Sequence, residues 1–259
     1  GFCVYNDAAV AIRGLLDAGA QRVAYVDVDA HHGDGVEAVF WDDPRVLTVS
    51  VHESGRTLFP GTGFPQDCGG PGAEGTAVNV ALPAGTTTAG WARAIEAVVP
   101  AVVRSFAPDV LVTQHGCDAH VLDPLTNLRV SVDGFRWAAG LLHGLAHEVT
   151  GGRWLALGGG GYAVVDVVPR AWAILVAEAA HADLDPATPL PAAWLEHAAR
   201  YPHAHALPVG GEPTSLTDGE TVTVRGWAAG YDPADDVDRA VRATRRAVFP
   251  HLGLDVELD

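Results

Sequence analysis

The sequence contains no lysine, no methionine and only three cysteines. All 16 of its basic side chains are therefore arginines, and they stand against 32 acidic residues, which gives a formal net charge of −16. Because so acidic a chain repels a phosphate backbone and shows no basic patch, nucleic acid is excluded as an expected ligand. The odd number and wide spacing of Cys3, Cys68 and Cys117 argue against a disulfide framework and favour reduced thiols.

Other absences narrow the class of protein further. The sequence has no uninterrupted apolar run of about 18 residues or more, which predicts no membrane span, and no secretory leader opens it, so we expect a cytoplasmic protein. It also lacks the motif Gly-x-Ser-x-Gly, which disfavours a serine nucleophile. Its glycine run 158–161 is not a phosphate loop, because no Gly-Lys-Ser/Thr follows. Because the chain opens on Gly1-Phe2-Cys3 without methionine or a helix cap, we expect it to be the C-terminal part of a longer polypeptide.

Hydrophobic periodicity predicts an α/β fold with an open, mainly parallel sheet flanked by helices. We expect a single domain over 1–259, in which a core of 1–180 is wrapped by a proline-rich segment of 181–259. Helices are predicted over 7–17 (capped by Asn6), 36–41, 87–106, 133–149, 164–180 and 235–249, and strands over 22–27, 45–51, 76–82, 108–114 and 154–157.

Carboxylates and imidazoles follow the first predicted strand. If the extended backbone persists through His31, then Asp27, Asp29 and His31 all point to one side, because side chains alternate along a strand. Oxygen and imidazole donors suit a divalent cation such as Zn²⁺, and a catalytic site needs three protein ligands and an open position. The third ligand must come from elsewhere: Asp118, beside Gly116, is the best candidate, with His115 and His120 as competitors.

Two glycine-rich stretches also follow predicted strands. The run 158–161 before Tyr162 is either a tight structural turn or a segment that brings backbone close to a ligand and presents the Tyr162 hydroxyl to an oxyanion. The long loop 52–75, with Phe59-Pro60-Gly61-Thr62-Gly63 at its centre, is either a plain surface loop or a functional one. In an open parallel sheet, such strand ends are where a ligand binds.

Taken together and in this order, five segments resemble the motif series of the zinc-dependent histone deacetylase family. They are Gly1-Phe2-Cys3-Val4-Tyr5-Asn6-Asp7, the stretch from Asp27 to Gly35, Phe59-Pro60-Gly61-Thr62-Gly63, Gln114-His115-Gly116-Cys117-Asp118 and Gly158-Gly159-Gly160-Gly161-Tyr162. Segments 1–12 and 114–125 are most similar to the family's bacterial acetoin utilization branch. The neighbouring acetylpolyamine amidohydrolases usually carry asparagine where this chain has Asp34. The resemblance implies the arginase/deacetylase-like fold, incomplete at its N-terminus.

The resemblance also implies roles for particular residues. Asp29, His31 and Asp118 would bind Zn²⁺, or Fe²⁺ in the cell, and Tyr162 would hydrogen-bond the acetyl oxygen. The residues that would line the tunnel for an acetyl-lysine side chain are Gly1, Phe2, Phe59, Leu125 and Gly160. A structural K⁺ or Na⁺ would bind the side chains of Asp27 and Ser50 and the carbonyls of Asp29, His31 and Val51.

Members of the family carry two adjacent histidines shortly before the Gly-Phe-Cys motif, and this chain begins after that position. Asp27 and Asp34 would orient those imidazoles, whereas His31-His32 is a different pair. The expected activity is removal of acetyl groups from protein lysines, with an acyl-CoA synthetase as a candidate substrate protein. Two alternatives stay open: hydrolysis of a small acetylated amine, and a catalytically silent acyl-lysine-binding module. The residues upstream of Gly1 and a competition assay would separate these hypotheses.

Overall fold

A computed structural model describes residues 2–201 and 213–259. Its centre is a sheet of five strands, all parallel, in the order β3-β2-β1-β4-β5. The strands are β1 (Val23–Asp27), β2 (Val46–Glu53), β3 (Ala77–Leu82), β4 (Val110–Gln114) and β5 (Trp154–Leu157). The predicted α/β class with an open parallel sheet is therefore confirmed.

Helices cover both faces of the sheet. One face carries α1 (Asp7–Asp17) and α2 (Asp34–Phe40), and the other carries α3 (Thr88–Phe106), α4 (Val132–Thr150), α5 (Val168–Ala179) and α7 (Asp236–Val248). Strand β1 serves both cores, since Val23 and Tyr25 pack on the α1 side while Ala24 and Val26 pack on the α3 side. Burial on both faces explains why the parallel strands read as continuous apolar runs.

The helix ends follow the local sequence. The predicted cap of α1 is present, because Asn6 Oδ1 accepts the Ala9 amide at 3.0 Å. The helix predicted over 164–180 begins later, at Val168, because Pro169 occupies its first turn and suits that position. The short helix α6 (Ala192–Ala198) was not predicted, since it has only seven residues and lies among prolines.

None of the described helices combines the length and apolarity that crossing a bilayer requires.

Strand β2 runs two residues beyond its predicted end, to Glu53. His52 and Glu53 pair with Ala81 and Leu82 of β3. The buried Glu53 carboxylate accepts both the amide and the side-chain NH₂ of Asn127, each at 2.8 Å. These bonds attach the end of β2 to the loop that follows β4.

The order of the strands creates a crevice beside β1. From β1 the chain moves outward to β2 and β3, and then returns to place β4 on the other side of β1. In open parallel sheets, ligands bind at such a reversal, outside the carboxyl ends of the strands. The segments that follow β1, β4 and β5 all emerge at this edge.

The described part of the C-terminal segment contacts the core through buried ion pairs. Arg93 of α3 donates two hydrogen bonds to the Asp238 carboxylate of α7, one of them at 2.8 Å. Asp218 accepts Arg170 at 2.7 Å and His120 at 2.9 Å. The polar residues of this segment therefore lie against the same helices that cover the sheet.

Candidate metal centre and acyl-binding site

Three side chains meet at the crevice: Asp29 after β1, His31 two residues later, and Asp118 after β4. Their donor atoms all lie within 4.8 Å of one another. Nδ1 of His31 is 3.1 Å from Asp29 Oδ1 and 2.9 Å from Asp118 Oδ2. Asp118 is fully buried and Asp29 nearly so, whereas His31 is partly open to solvent.

The backbone reaches this arrangement in a different way from the one predicted. Strand β1 ends at Asp27, so the extended geometry does not persist through His31. Asp27 Oδ1 accepts the amide of Asp29 at 3.0 Å, and Asp29 Oδ1 accepts the amide of His31 at 2.9 Å. Each carboxylate thus closes a turn two residues ahead, as Asp and Asn side chains do at strand ends.

Hydrogen bonds hold the two carboxylates in place. Asp29 Oδ2 accepts the Gly160 amide at 2.9 Å and the Gln114 side chain at 3.1 Å, and Asp118 Oδ1 accepts the Ala30 amide at 2.8 Å. The backbone approaches so closely that a Cβ on Gly160 would stand 2.3 Å from Asp118 Oδ2. Gly116 is as restricted, because a Cβ there would stand 2.0 Å from Asp29 Oδ2.

The electrostatics of the trio show an unmet demand for positive charge. Burial and the neighbouring Asp29 raise the pKa of Asp118 to about 7. Burial alone would raise the pKa of Asp29 as well, but hydrogen bonds from His31 bring it down to about 2. Hydrogen bonds to Asp118 and Asp29 raise the pKa of His31 to about 10. The imidazolium therefore supplies only one positive charge against two buried carboxylates, so a further cation would be favoured here.

The donor set fits a divalent cation. Ligand bonds of about 2.0–2.2 Å with angles between 90° and 109° place neighbouring ligand atoms about 2.8–3.6 Å apart. The contacts of His31 Nδ1 with the two carboxylates, at 2.9 and 3.1 Å, lie within that range. Two carboxylates and one imidazole also suit Zn²⁺ or a similar ion.

The competing histidines are engaged elsewhere. His115 Nε2 lies 2.7 Å from Thr113 Oγ1, and His120 Nε2 lies 2.9 Å from Asp218 Oδ2. Of the three candidates for the third ligand, the structure therefore brings only Asp118 to the pair formed by Asp29 and His31.

His32 turns away from the trio. Its ring is buried, with Nδ1 2.9 Å from Thr62 Oγ1 and Nε2 3.1 Å from Glu37 Oε2. His32 thus joins the loop 59–63 to helix α2. It does not take part in the cluster around His31.

The residues predicted to hold a monovalent cation lie just behind the trio. Asp27 and Ser50 are buried register partners on β1 and β2, and Val51 follows Ser50 within the strand. Burial raises the pKa of Asp27 well above its usual value, and the neighbouring Asp29 adds to the rise. The Tyr25 hydroxyl donates to Asp27 Oδ2 at 2.7 Å.

Tyr162 follows the glycine run and is half-buried at the mouth of the site. Asp123 positions its backbone: one carboxylate oxygen accepts the Tyr162 amide at 2.8 Å and the other accepts the Leu125 amide at 2.9 Å. The rings of Phe2 and Tyr162 meet edge to face, with centroids 5.7 Å apart. Burial and the negative charge of Asp118 raise the pKa of Tyr162 to about 12, so its hydroxyl stays protonated at neutral pH.

The remaining predicted site residues lie at the surface or outside the described chain. Phe2, Phe59 and Leu125 are exposed, by 82%, 65% and 45% of their surface. Asp34 is partly exposed in the first turn of α2. Gly1, predicted to line the tunnel, lies outside the described residues.

Two important side chains of the site were not predicted. Gln114 and Asp123 act through hydrogen bonds to Asp29 and Tyr162 that connect distant parts of the chain. The sequence placed Gln114 at a strand end and Asp123 before a proline. Nothing in that local pattern identifies the distant partner of either side chain.

The sequence model of the histone deacetylase domain matches residues 1–179. The chain therefore belongs to the histone deacetylase family, and the predicted resemblance is confirmed. It is 45% identical to the acetoin utilization protein AcuC of Bacillus subtilis over 195 residues, which cover 75% of this chain and 50% of that protein. This similarity also confirms the predicted bacterial branch.

Other relatives agree with the assignment. A probable deacetylase of Archaeoglobus fulgidus is 37% identical over 184 residues, covering 71% of this chain and 51% of that protein. The crystal structure of an HDAC homolog from Aquifex aeolicus matches with a TM-score of 0.75 and 28% identity, over 94% of this chain and 63% of that one. The chain thus spans about half the length of the curated relatives it matches.

Proposed function

We propose that the protein is a metal-dependent deacetylase that hydrolyses the amide bond of an acetylated lysine side chain. The observation that carries the proposal is the convergence of Asp29, His31 and Asp118, whose donor atoms lie within 4.8 Å of one another at the edge of the sheet. The similarity to AcuC and to a probable deacetylase supports the reaction class.

Asp29, His31 and Asp118 would hold the cation, which we propose is Zn²⁺. When bound, such an ion polarises an amide carbonyl and makes a bound water more acidic. The protein's own contribution is to hold the metal ligands in place. Gln114 and the Gly160 amide donate hydrogen bonds to Asp29, and the Ala30 amide donates one to Asp118. Such outer hydrogen bonds tune metal affinity.

Tyr162 would stabilise the oxygen of the scissile amide as negative charge develops on it. Its raised pKa keeps the phenol protonated, so the hydroxyl is a donor at neutral pH. One donor aimed at a developing oxyanion is worth about 3–4 kcal/mol of transition-state stabilisation. The hydrogen bond from the Tyr162 amide to Asp123 holds the residue at the mouth of the site.

The exposed aromatic rings of Phe2 and Phe59 would flank the four-carbon stem of the substrate, with Leu125 and Gly160 completing the wall. Apolar faces suit a methylene chain, and the ring of Phe2 already packs against Tyr162. Asp27 and Asp34 would act as positioning residues for the two adjacent histidines that family members carry before the Gly-Phe-Cys motif. A monovalent cation beside Asp27 and Ser50 would offset the burial of the Asp27 carboxylate.

The substrate class we propose is an acetylated lysine of a protein, in line with the similarity to AcuC. A small acetylated amine is the alternative. A decisive experiment measures acetate release by the full-length, tag-free protein from an acetyl-lysine peptide and from an acetylpolyamine. We expect turnover of the peptide that disappears with a chelator and returns with Zn²⁺.

The matched variants are Asp118→Asn and Asp109→Asn. Asp118→Asn keeps the shape of the side chain but replaces a charged metal ligand with a neutral one. The variant should lose both the bound metal and the activity. Asp109 lies at the opposite end of the sheet, where it accepts backbone amides of the segment before β1, and should leave turnover unchanged. Chelator-insensitive turnover would refute the metal-dependent mechanism, and a strong preference for the polyamine would refute the protein substrate.

A further inference from the structure

A second group of metal-ligating side chains lies away from the acyl site. Among the described residues, His143, His147 and His181 bring one ring nitrogen each within 4.8 Å of one another. His143 and His147 are one turn apart on the same face of α4, and His181 follows the end of α5. No sequence pattern groups them, because 34 positions separate His147 from His181.

The tautomer of one ring can be assigned from its partner. His143 Nδ1 lies 2.7 Å from Glu178 Oε1, and a carboxylate only accepts, so Nδ1 carries the proton. The lone pair of His143 is therefore on Nε2. That atom lies 3.0 Å from Nε2 of His147. A carboxylate that orients an imidazole through its far nitrogen is the usual outer support of a metal-binding histidine.

The spacing of the two nitrogens matches shared coordination. Two imidazoles bound to one ion at about 2.0–2.1 Å, with angles between 90° and 109°, place their nitrogens about 2.8–3.4 Å apart. The observed separation of 3.0 Å lies within that range, and without an ion the same distance allows His147 Nε2–H to donate a hydrogen bond to His143 Nε2. The His181 ring lies beside both, with its centroid 4.6 Å from that of His143 and 5.2 Å from that of His147, and one of its nitrogens is within 4.8 Å of theirs.

The histidine rings pack against the protein on one side and face solvent on the other. The His143 ring stacks on Trp154 of β5, with centroids 5.3 Å apart and planes 17° from parallel. Gly152 lies directly under His147, where a Cβ would be 3.1 Å from the ring. His143 is partly buried, whereas His147 and His181 are exposed, so an ion can enter from solvent.

From this geometry we propose that His143, His147 and His181 bind a divalent transition-metal ion, with water in the remaining position. Three neutral imidazoles suit Zn²⁺, Cu²⁺ or Ni²⁺ and not the oxygen-seeking Mg²⁺ or Ca²⁺. Because the ligands come from α4 and from the residue that follows α5 and its cap, the ion ties these two helices together. This site shares no residue with the trio Asp29, His31 and Asp118.

The test counts bound ions on chelator-stripped, tag-free, full-length protein titrated with Zn²⁺ by calorimetry. We expect His181→Ala and His147→Ala each to bind one ion fewer per chain than the wild type. The matched control is His197→Ala, an exposed histidine on α6, which should bind as many ions as the wild type. Because the readout is a difference in stoichiometry, it does not depend on deacetylase activity.

A further variant separates coordination from loss of fold. Glu178→Gln keeps all three histidines and should weaken the same site about 10- to 100-fold without removing it. Far-ultraviolet circular dichroism and the metal-free unfolding midpoint confirm that each variant is folded. The proposal is overturned if folded His181→Ala binds as many ions as the wild type, or if Mg²⁺ competes equally with Zn²⁺ for the ion that His181→Ala loses.

Discussion

The amide of Gly160 donates a hydrogen bond to Asp29 Oδ2 at 2.9 Å, although the two residues are 131 positions apart. The loop after β5 thereby closes on the turn after β1. The absence of a side chain makes this contact possible, because a Cβ on Gly160 would stand 2.7 Å from the same oxygen. The glycine run is thus a close backbone approach to the candidate metal centre.

Substitution Gly160→Ala should therefore damage metal binding more than folding. The added methyl must displace the carboxylates of Asp29 and Asp118, so we expect Zn²⁺ affinity to fall at least tenfold in a calorimetric titration. Gly14→Ala is the control, because its Cβ meets nothing within 4 Å in the interior of α1 and should stabilise the protein by up to about 1 kcal/mol. Equal affinities in the two variants would contradict the role assigned to Gly160.

Substitution Tyr162→Phe should lower kcat about 10²- to 10³-fold while leaving Zn²⁺ affinity unchanged. The variant removes only the hydroxyl, so the ring still packs against Phe2 and the backbone amide of residue 162 still donates a hydrogen bond to Asp123. Steady-state kinetics of the full-length protein with an acetyl-lysine peptide measure the effect. Tyr201→Phe, at an exposed tyrosine, is the matched control. A wild-type kcat in Tyr162→Phe would exclude the Tyr162 hydroxyl as the hydrogen-bond donor to the oxyanion.

Stability should fall as the pH drops below 6.5, in part because of His52. This ring is fully buried, and burial lowers its pKa to about 3. Between pH 3 and 6.5 the unfolded chain therefore binds more protons than the folded one, so acidification favours unfolding, by about 2 kcal/mol at pH 5. Urea unfolding at pH 7 and pH 5 measures this difference.

The variant His52→Gln should lose this part of the pH dependence. Its amide can still donate to the Gly63 carbonyl and accept from Ser50, the two partners that the His52 ring has at 2.9 and 2.8 Å. The exposed residue His197 gives the control variant His197→Gln, which should keep the wild-type pH dependence. The same slope in all three proteins would show that His52 does not titrate as inferred.

The buried pair Arg93 and Asp238 should contribute far more to stability than an exposed pair of the same chemistry. Asp238→Ala leaves a guanidinium buried without its partner, which we expect to cost about 3–5 kcal/mol in the free energy of unfolding. Glu148→Ala breaks the exposed pair with Arg104 and should cost less than about 1 kcal/mol. Denaturant unfolding compares the two, and similar losses would contradict the argument from burial.

Much of the architecture was predictable because it depends on local pattern. Strand β5 and helix α1 have the predicted bounds, since an apolar run and an Asn6 cap define them within a few residues. The bounds of α5 and β2 differ because a proline decides where α5 begins, and pairing with the distant residues Ala81 and Leu82 of β3 decides where β2 ends.

The sequence by itself determined the class of fold, the family and the residue types that gather at the strand ends. Hydrophobic periodicity and motif order depend only on the order of residues along the chain. Only the tertiary structure decided which side chains meet. It selected Asp118 over His115 and His120, and it brought His143 and His147 of α4 together with His181, which follows the cap of α5. The physical reason is that coordination and burial depend on distances in space, and chain separation does not encode those distances.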